Sequence, residues 1–443
     1  MGGAYKYQDG KFDTHPSTMF PTSFTDSPEY KARLKVPFSP PKLTLAQVRA
    51  AIPPHLFEKS TAKGLFYLAR DFVCAFTLYK LAWQIEPVAQ LIEAAVSPQA
   101  ATAARWLLWS AYCFSQGIVF TGFWCIAHEA GHMNISPHGW VNHITGLICH
   151  SFLMTPFFGW RASHNAHHKA TMSLEREENW VPHTRKEFKL PEKSVAQPND
   201  YTEIFEDAPL YTLIRMIVQQ SIGWNFYLLT NATGHPRYPA GTNHFSPSSG
   251  LFRPSQRKGI ILADLFILGS GFLLYKWASQ PGVGLLNWFR LWFIPYSFVN
   301  NWIVMLTFLH HCDPTLPYYR KSQWSFLRGA VSTVDRPFLG WAGNFFLHYV
   351  SRFHVGHHLF SNIPFYNQPE VTEYLKKVIP EHYNYDSTNM YRAFWRNFTQ
   401  CCFIEDEGDM VFFKNKKGEA QREFASDAFE RPTIVPTTEV PAQ

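Results

Sequence analysis

The sequence predicts an all-α integral membrane protein with about four transmembrane helices, several interfacial helices and a cytoplasmic helical cap. Three observations predict it. Apolar runs of about 20 residues, the length a bilayer-spanning helix needs, recur along the chain, and 106–127 contains no charged residue. Aromatic residues reach 17% while charged residues reach only 17%, against roughly 25% charged in ordinary globular chains. Lys and Arg are unevenly shared among the segments that join the apolar runs. The mean hydropathy of −0.18 excludes a bundle made wholly of spans, and the composition excludes a disordered or coiled-coil chain.

Taken in order, residues 1–60 form a polar N-terminal arm punctuated by Pro, with one short helix near Leu45–Ala51. A membrane domain follows over 61–415. Its spans are expected at about 65–85, 106–127, 259–277 and 291–309, the first interrupted by Arg70, Asp71 and Lys80. Residues 142–160 and 208–229 are apolar but carry His, Gln, Arg or Pro, and read as interfacial helices. The cap comprises 128–258 and 310–415, and 416–443 is a polar tail for which no structure is expected. Connections 86–104 and 278–289 contain no Lys or Arg, whereas 161–193 and 253–258 are rich in both, so the cap should face the cytoplasm. The first span must then act as the signal, because the N-terminus has no apolar signal-peptide core. A net charge of +6 without a basic block fits an anionic lipid surface and not a nucleic acid. Seven Cys without a CxxC exclude a disulfide framework and a thiolate zinc site.

The histidines carry the chemistry. Twenty are present, and three clusters stand out: His128-Glu-Ala-Gly-His132, His164-Asn-Ala-His167-His168 and His354-Val-Gly-His357-His358. An HxxHH triplet should arise by chance about 0.04 times in such a chain, and this one has two. On a helix, positions i, i+3 and i+4 share a face, so each cluster can aim its imidazoles at one region. Eight donors exceed one tetrahedral zinc and suit two metals of higher coordination number, forming a di-metal site; ligand type alone leaves iron, zinc, copper and nickel open. His128 directly follows the run 106–127, and His310-His311 directly follows 291–309, so two spans deliver histidines to one membrane face. Carboxylates should orient the imidazoles and offset the metal charge; Glu129 and Asp335 are the candidates, with His348 a further supporting residue. His138, His143, His150, His183, His235 and His244 read as structural. Two other classes compete: HEAGH also fits the HExxH of a membrane zinc protease, and a metal transporter would use histidines too, but neither explains two HxxHH triplets beyond the spans.

These segments resemble the membrane fatty acyl desaturases, and among them the delta-12 (oleate) desaturases of plants and fungi. VFTGFWCIAHEAGH is similar to the family's first histidine box, SLERE and the later VP follow the second, and NHFSPSS, TFLHHCDPTLPYY, LRGAVSTVDR and HVGHHLFSNIPFYN are similar as well. The resemblance implies two nonheme irons and O2 as co-substrate. The implied ligands are His128, His132, His164, His167, His168, His354, His357 and His358, with His311 as a ninth. It further implies cytochrome b5 and its reductase as electron donor, and a lipid-linked C18 acyl substrate carried as phospholipid or acyl-CoA. Residence in the endoplasmic reticulum follows in the same way, with conversion of oleate to linoleate as the expected reaction. Four departures flank the ligands: Ala130 where the family commonly has Cys, Asn134 after the first box, Met172 at a Gly position, and Arg352 at an Asp position. They are candidates for selectivity, and they keep an acetylenase, hydroxylase or conjugase acting on linoleate-type chains as the alternative.

Overall fold

The computed structural model describes residues 25–205 and 208–430. The first 24 residues of the arm and the last 13 of the tail lie outside them. Helices dominate; the one two-residue ladder among the described residues pairs Tyr318–Tyr319 antiparallel with Met410–Val411.

In the arm, Thr44 and Gln47 form a reciprocal capping box that starts helix Leu45–Ala50, as the sequence predicts. A second helix, Pro28–Leu34, is capped by Ser27. It carries Arg33 into a buried ionic network with Asp313, Asp386, Arg336 and Arg396, which ties this helix to the segments after His311.

The expected spans fall on long helices. Thr61–Ala82 begins at Ser60, whose side chain accepts from the Lys63 N–H, and Pro98–Gly131 begins at Ser97 with Pro in its first turn. The latter has 34 residues, about 51 Å at 1.5 Å per residue, against a hydrocarbon core of about 30 Å. It ends at the first histidine cluster. Two helical stretches, Pro254–Ala278 and Gly284–His311, are long and apolar enough to cross a membrane. Thr61–Ala82 carries Arg70, Asp71 and Lys80, and Pro98–Gly131 is diluted by Ala, Ser, Thr, Gly and Gln, so length and apolarity single out two of the four expected spans. The second stretch passes through one π-helical turn at Phe289–Phe293, just before Pro295, whose ring nitrogen has no hydrogen to donate.

The interfacial segment expected at 142–160 is instead two helices, Gly139–Phe152 and Phe157–His168. Met154 adopts φ +52° and Pro156 precedes the second helix, so the chain turns there. The helix expected at 208–229 is Pro209–Thr230, ended by left-handed Asn231. Leu210, Leu213, Ile214, Ile217, Val218 and Phe226 stand exposed along it. The tail departs from its expectation over 416–430. Phe424 stacks on Phe412 and pairs its backbone with Phe38, while Ala428 is fully buried. A few aromatic anchors offset the ordering cost of an otherwise polar segment.

Candidate metal centre

Four helices bring the clusters together. Pro98–Gly131 presents His128 in its last turn and His132 as its C-cap. Phe157–His168 ends in His164, His167 and His168, Ile294–His311 ends in His310 and His311, and the short helix His354–Leu359 carries the third cluster. Three of these helices direct their C-termini at the site, where the partial negative charge of their last carbonyls favours cations.

The imidazoles sort into two groups. Donor nitrogens of His128, His132, His164, His168 and His357 all lie within 4.8 Å of one another, as do those of His167, His311 and His358. His354 joins the second group, with its Nε2 3.1 Å from His311 Nε2 and 3.0 Å from His358 Nε2. The sorting crosses the sequence clusters. In each HxxHH, the i and i+4 histidines serve one group and the i+3 histidine serves the other. Helix geometry allows it: at about 100° per residue, position i+4 sits about 40° to one side of i and i+3 about 60° to the other. The rings of His168 and His358, one from each group, stack at 4.1 Å and 12°, so the two groups lie side by side.

Spacing within the groups bears on the ion they fit. His164 Nε2 lies 3.1 Å from both His132 Nε2 and His168 Nε2. With metal–nitrogen bonds of about 2.1 Å, donors at tetrahedral angles stand about 3.4 Å apart and donors at right angles about 3.0 Å. The two separations are nearer the right-angle value. Burial and neighbouring charge hold His164, His168, His354 and His358 well below their usual pKa. Rings held neutral at about 3 Å pair by sharing one N–H or by turning both lone pairs on a common cation. The donor set fits a pair of metals.

Hydrogen bonds orient the rings. Glu129 Oε1 lies 3.1 Å from His128 Nδ1 and 3.7 Å from His357 Nδ1, and its Oε2 accepts from the Asn134 amide at 2.9 Å. Asn134 also donates to the Ser361 and Ile363 carbonyls, locking the carboxylate to the loop after the third cluster. With its carboxylate engaged on ring nitrogens, Glu129 is not the free base that the HExxH protease reading requires.

The other expected residues lie elsewhere. Asp335 bonds no imidazole; it accepts the Val355 N–H at 2.7 Å and the Tyr383 hydroxyl at 2.7 Å, capping the His354–Leu359 helix. Burial pushes its carboxyl up to about 7. His348 belongs to neither histidine group and pairs with Asp71. Ala130 is fully buried. Met172 adopts φ +60°, a conformation that a glycine meets without strain, and its carbonyl accepts the Tyr319 N–H. Arg352 lies over the Phe353 ring at 6.0 Å.

Two partners of the rings went unseen in the sequence. Glu177 Oε1 lies 2.6 Å from His167 Nδ1 and accepts the backbone N–H groups of Glu178 and Asn179. Thr171 Oγ1 lies 3.2 Å from His358 Nδ1. Glu177 is one of three glutamates at 175–178, and spacing alone does not say which turns inward.

Comparison with known proteins agrees with this geometry. The family model described as "Fatty acid desaturase" matches residues 104–389. A delta(12) fatty acid desaturase of Mortierella isabellina is 41% identical over 380 residues, covering 84% of this chain and 91% of its own. An oleate hydroxylase of Claviceps purpurea is 34% identical, covering 86% and 82%. An endoplasmic reticulum omega-6 fatty acid desaturase of Brassica juncea is 35% identical, covering 86% and 94%. A chain with this histidine architecture and these relatives is an oxidoreductase of lipid metabolism and belongs to the fatty acid desaturase family.

Proposed function

We propose that the protein is an iron- and O2-dependent acyl-lipid desaturase that places a double bond at the delta-12 position of a lipid-linked C18 chain, converting oleate to linoleate. The observation that carries the reading is the double group of converging imidazoles, in a chain 41% identical to a delta(12) desaturase. Bound there, two irons would supply the activation of O2 needed to take hydrogen from an unactivated methylene. The first iron would be held by His128, His132, His164, His168 and His357, and the second by His167, His311, His354 and His358. Glu129, Glu177 and Thr171 orient His128, His167 and His358, respectively. Trp160 stacks on His164 at 4.5 Å and Trp124 on His128 at 5.7 Å, walling that side against water. Ala130, Asn134, Met172 and Arg352 stay with the selectivity reading, and Asp335 supports the third cluster through its helix cap.

Reduction of O2 to two waters takes four electrons, and the acyl chain gives up two. The chain has no HPGG-type haem-binding segment, so we assign the other two to an external donor, cytochrome b5 with its reductase. Membrane residence in the endoplasmic reticulum follows the same reading, with Thr61–Ala82 and Pro98–Gly131 joining the two more apolar stretches as four spans, and the histidines on the cytoplasmic side. The substrate is an acyl lipid, either phospholipid or acyl-CoA.

One observation favours a second outcome on the same scaffold, since a relative of 34% identity is an oleate hydroxylase. Expression in a host that contains oleate but makes no linoleate, followed by gas chromatography–mass spectrometry, decides. Linoleate supports the first reading and a hydroxylated C18 chain the second. A product formed only when linoleate is fed, acetylenic or conjugated, sinks both.

A further inference from the structure

Arg70 and Asp71 are charges in the middle of the first expected span, and nothing in the metal centre uses them. An ionisable pair at such a position is costly and calls for a partner. The partner is at hand. Asp71 is fully buried, and its Oδ2 lies 2.5 Å from Nε2 of the equally buried His348. Asp71 Oδ1 accepts from Arg70 Nε and Nη2 at 3.1 and 2.9 Å. The Arg70 guanidinium also donates to the Phe345 carbonyl, lies over the Phe345 ring at 4.1 Å and stands 3.4 Å from His348 Nδ1. Arg70 can only donate, so in these contacts Nδ1 of His348 is the acceptor and Nε2–H donates to Asp71. Helix Pro98–Gly131 closes over the pair at Gly122, where a Cβ would stand 2.6 Å from the Phe346 carbonyl and 3.1 Å from Asp71 Oδ2.

What this clamp holds is a turn that side chains disfavour. His348 and Tyr349 adopt φ +50° and +65°, two consecutive non-glycine residues in the left-handed region, a conformation kept only where surroundings over-determine it. The turn leads straight to the metal centre. The Tyr349 carbonyl accepts the N–H groups of Arg352 and Phe353, and the Phe353 carbonyl accepts the N–H of His357.

We propose that Asp71, with Arg70, is a positioning residue for both metal centres: through His348 it clamps the 348–349 turn that sets the third histidine cluster. The inference rests on the di-iron reading of the histidines. Because His357 serves one group while His354 and His358 serve the other, a slack turn weakens both centres together. That signature separates the clamp from an orienting carboxylate such as Glu177, which touches one ring of one group.

The test is iron loading of the purified full chain against ferrous iron concentration, with Mössbauer spectra to resolve the two centres. Asp71→Asn and His348→Phe should each need about 10-fold more iron at both centres, the lower end of what losing a ligand's support costs. His348→Asn, which keeps an N–H donor and tolerates positive φ, should load within a few-fold of wild type. The double variant Asp71→Asn with His348→Phe should be no worse than either single one. Should Asp71→Asn not accumulate, Arg70→Gln carries the same two-centre expectation. Wild-type loading in both Asp71→Asn and His348→Phe, a loss confined to one centre, or His348→Asn failing as badly as His348→Phe would overturn the inference. A wild-type chain that binds no iron would instead overturn the di-iron reading itself.

Discussion

Glu177 offers a quantitative handle on one centre. Its Oε1 accepts from His167 Nδ1 at 2.6 Å and from two backbone N–H groups at 2.9 and 3.0 Å, in a side chain that is almost wholly buried. Glu177→Ala strands three buried donors at about 1–3 kcal/mol each, which approaches the roughly 5–15 kcal/mol that holds a typical domain together. That variant therefore reports on folding. Glu177→Gln keeps an acceptor oxygen of the same shape and removes only the charge. A charge-assisted hydrogen bond is about twice as strong as a neutral one, a difference of about 1.5 kcal/mol, and about 1.4 kcal/mol is tenfold in an equilibrium constant. Glu177→Gln should therefore bind iron about 10-fold more weakly at the centre of His167, His311, His354 and His358. The His128 centre should be unchanged, as read by metal analysis and Mössbauer spectra on purified protein. Unchanged affinity, or a loss spread equally over both centres, would refute the assignment of Glu177 to His167.

Other expectations follow from the same geometry. Replacing His164, His167, His354 or His357 singly by Ala should abolish product while leaving membrane insertion intact; retained turnover in His357→Ala would remove the di-iron reading. Metal analysis of the wild-type chain should find two irons, and a single zinc would restore the protease alternative. Asn134→Ala removes the amide that holds Glu129 Oε2 and should weaken the His128 centre about 10-fold, the mirror image of Glu177→Gln; equal effects of the two variants on both centres would contradict the partition. Purified enzyme supplied with O2 alone should not turn over repeatedly until cytochrome b5 and its reductase are added, and sustained activity without them would show an internal electron source.

The sequence by itself determined what repeats locally. Helical periodicity and uncharged length place 106–127 and 291–309 on helices that end at histidines, and HxxHH spacing alone puts three imidazoles on one helical face, because 3.6 residues per turn is a property of the backbone and not of its surroundings. Pattern was weaker wherever a single residue decided, as at Met154 and Pro156, where one left-handed residue and one missing N–H split an apolar stretch into two helices. Only the tertiary structure decided how the imidazoles are shared. The i+3 members cross to the opposite group because the second and third clusters meet there, stacking His168 on His358. It also decided which carboxylate serves which ring. Glu129 sits beside its histidine in the chain and was legible. Asp335 looked equally well placed but caps a helix, while Glu177 reaches His167 from ten residues away and Asp71 meets His348 across 277. A hydrogen bond needs donor and acceptor within about 3 Å, and the pairing of distant segments at that distance is a result of packing that no local spacing encodes.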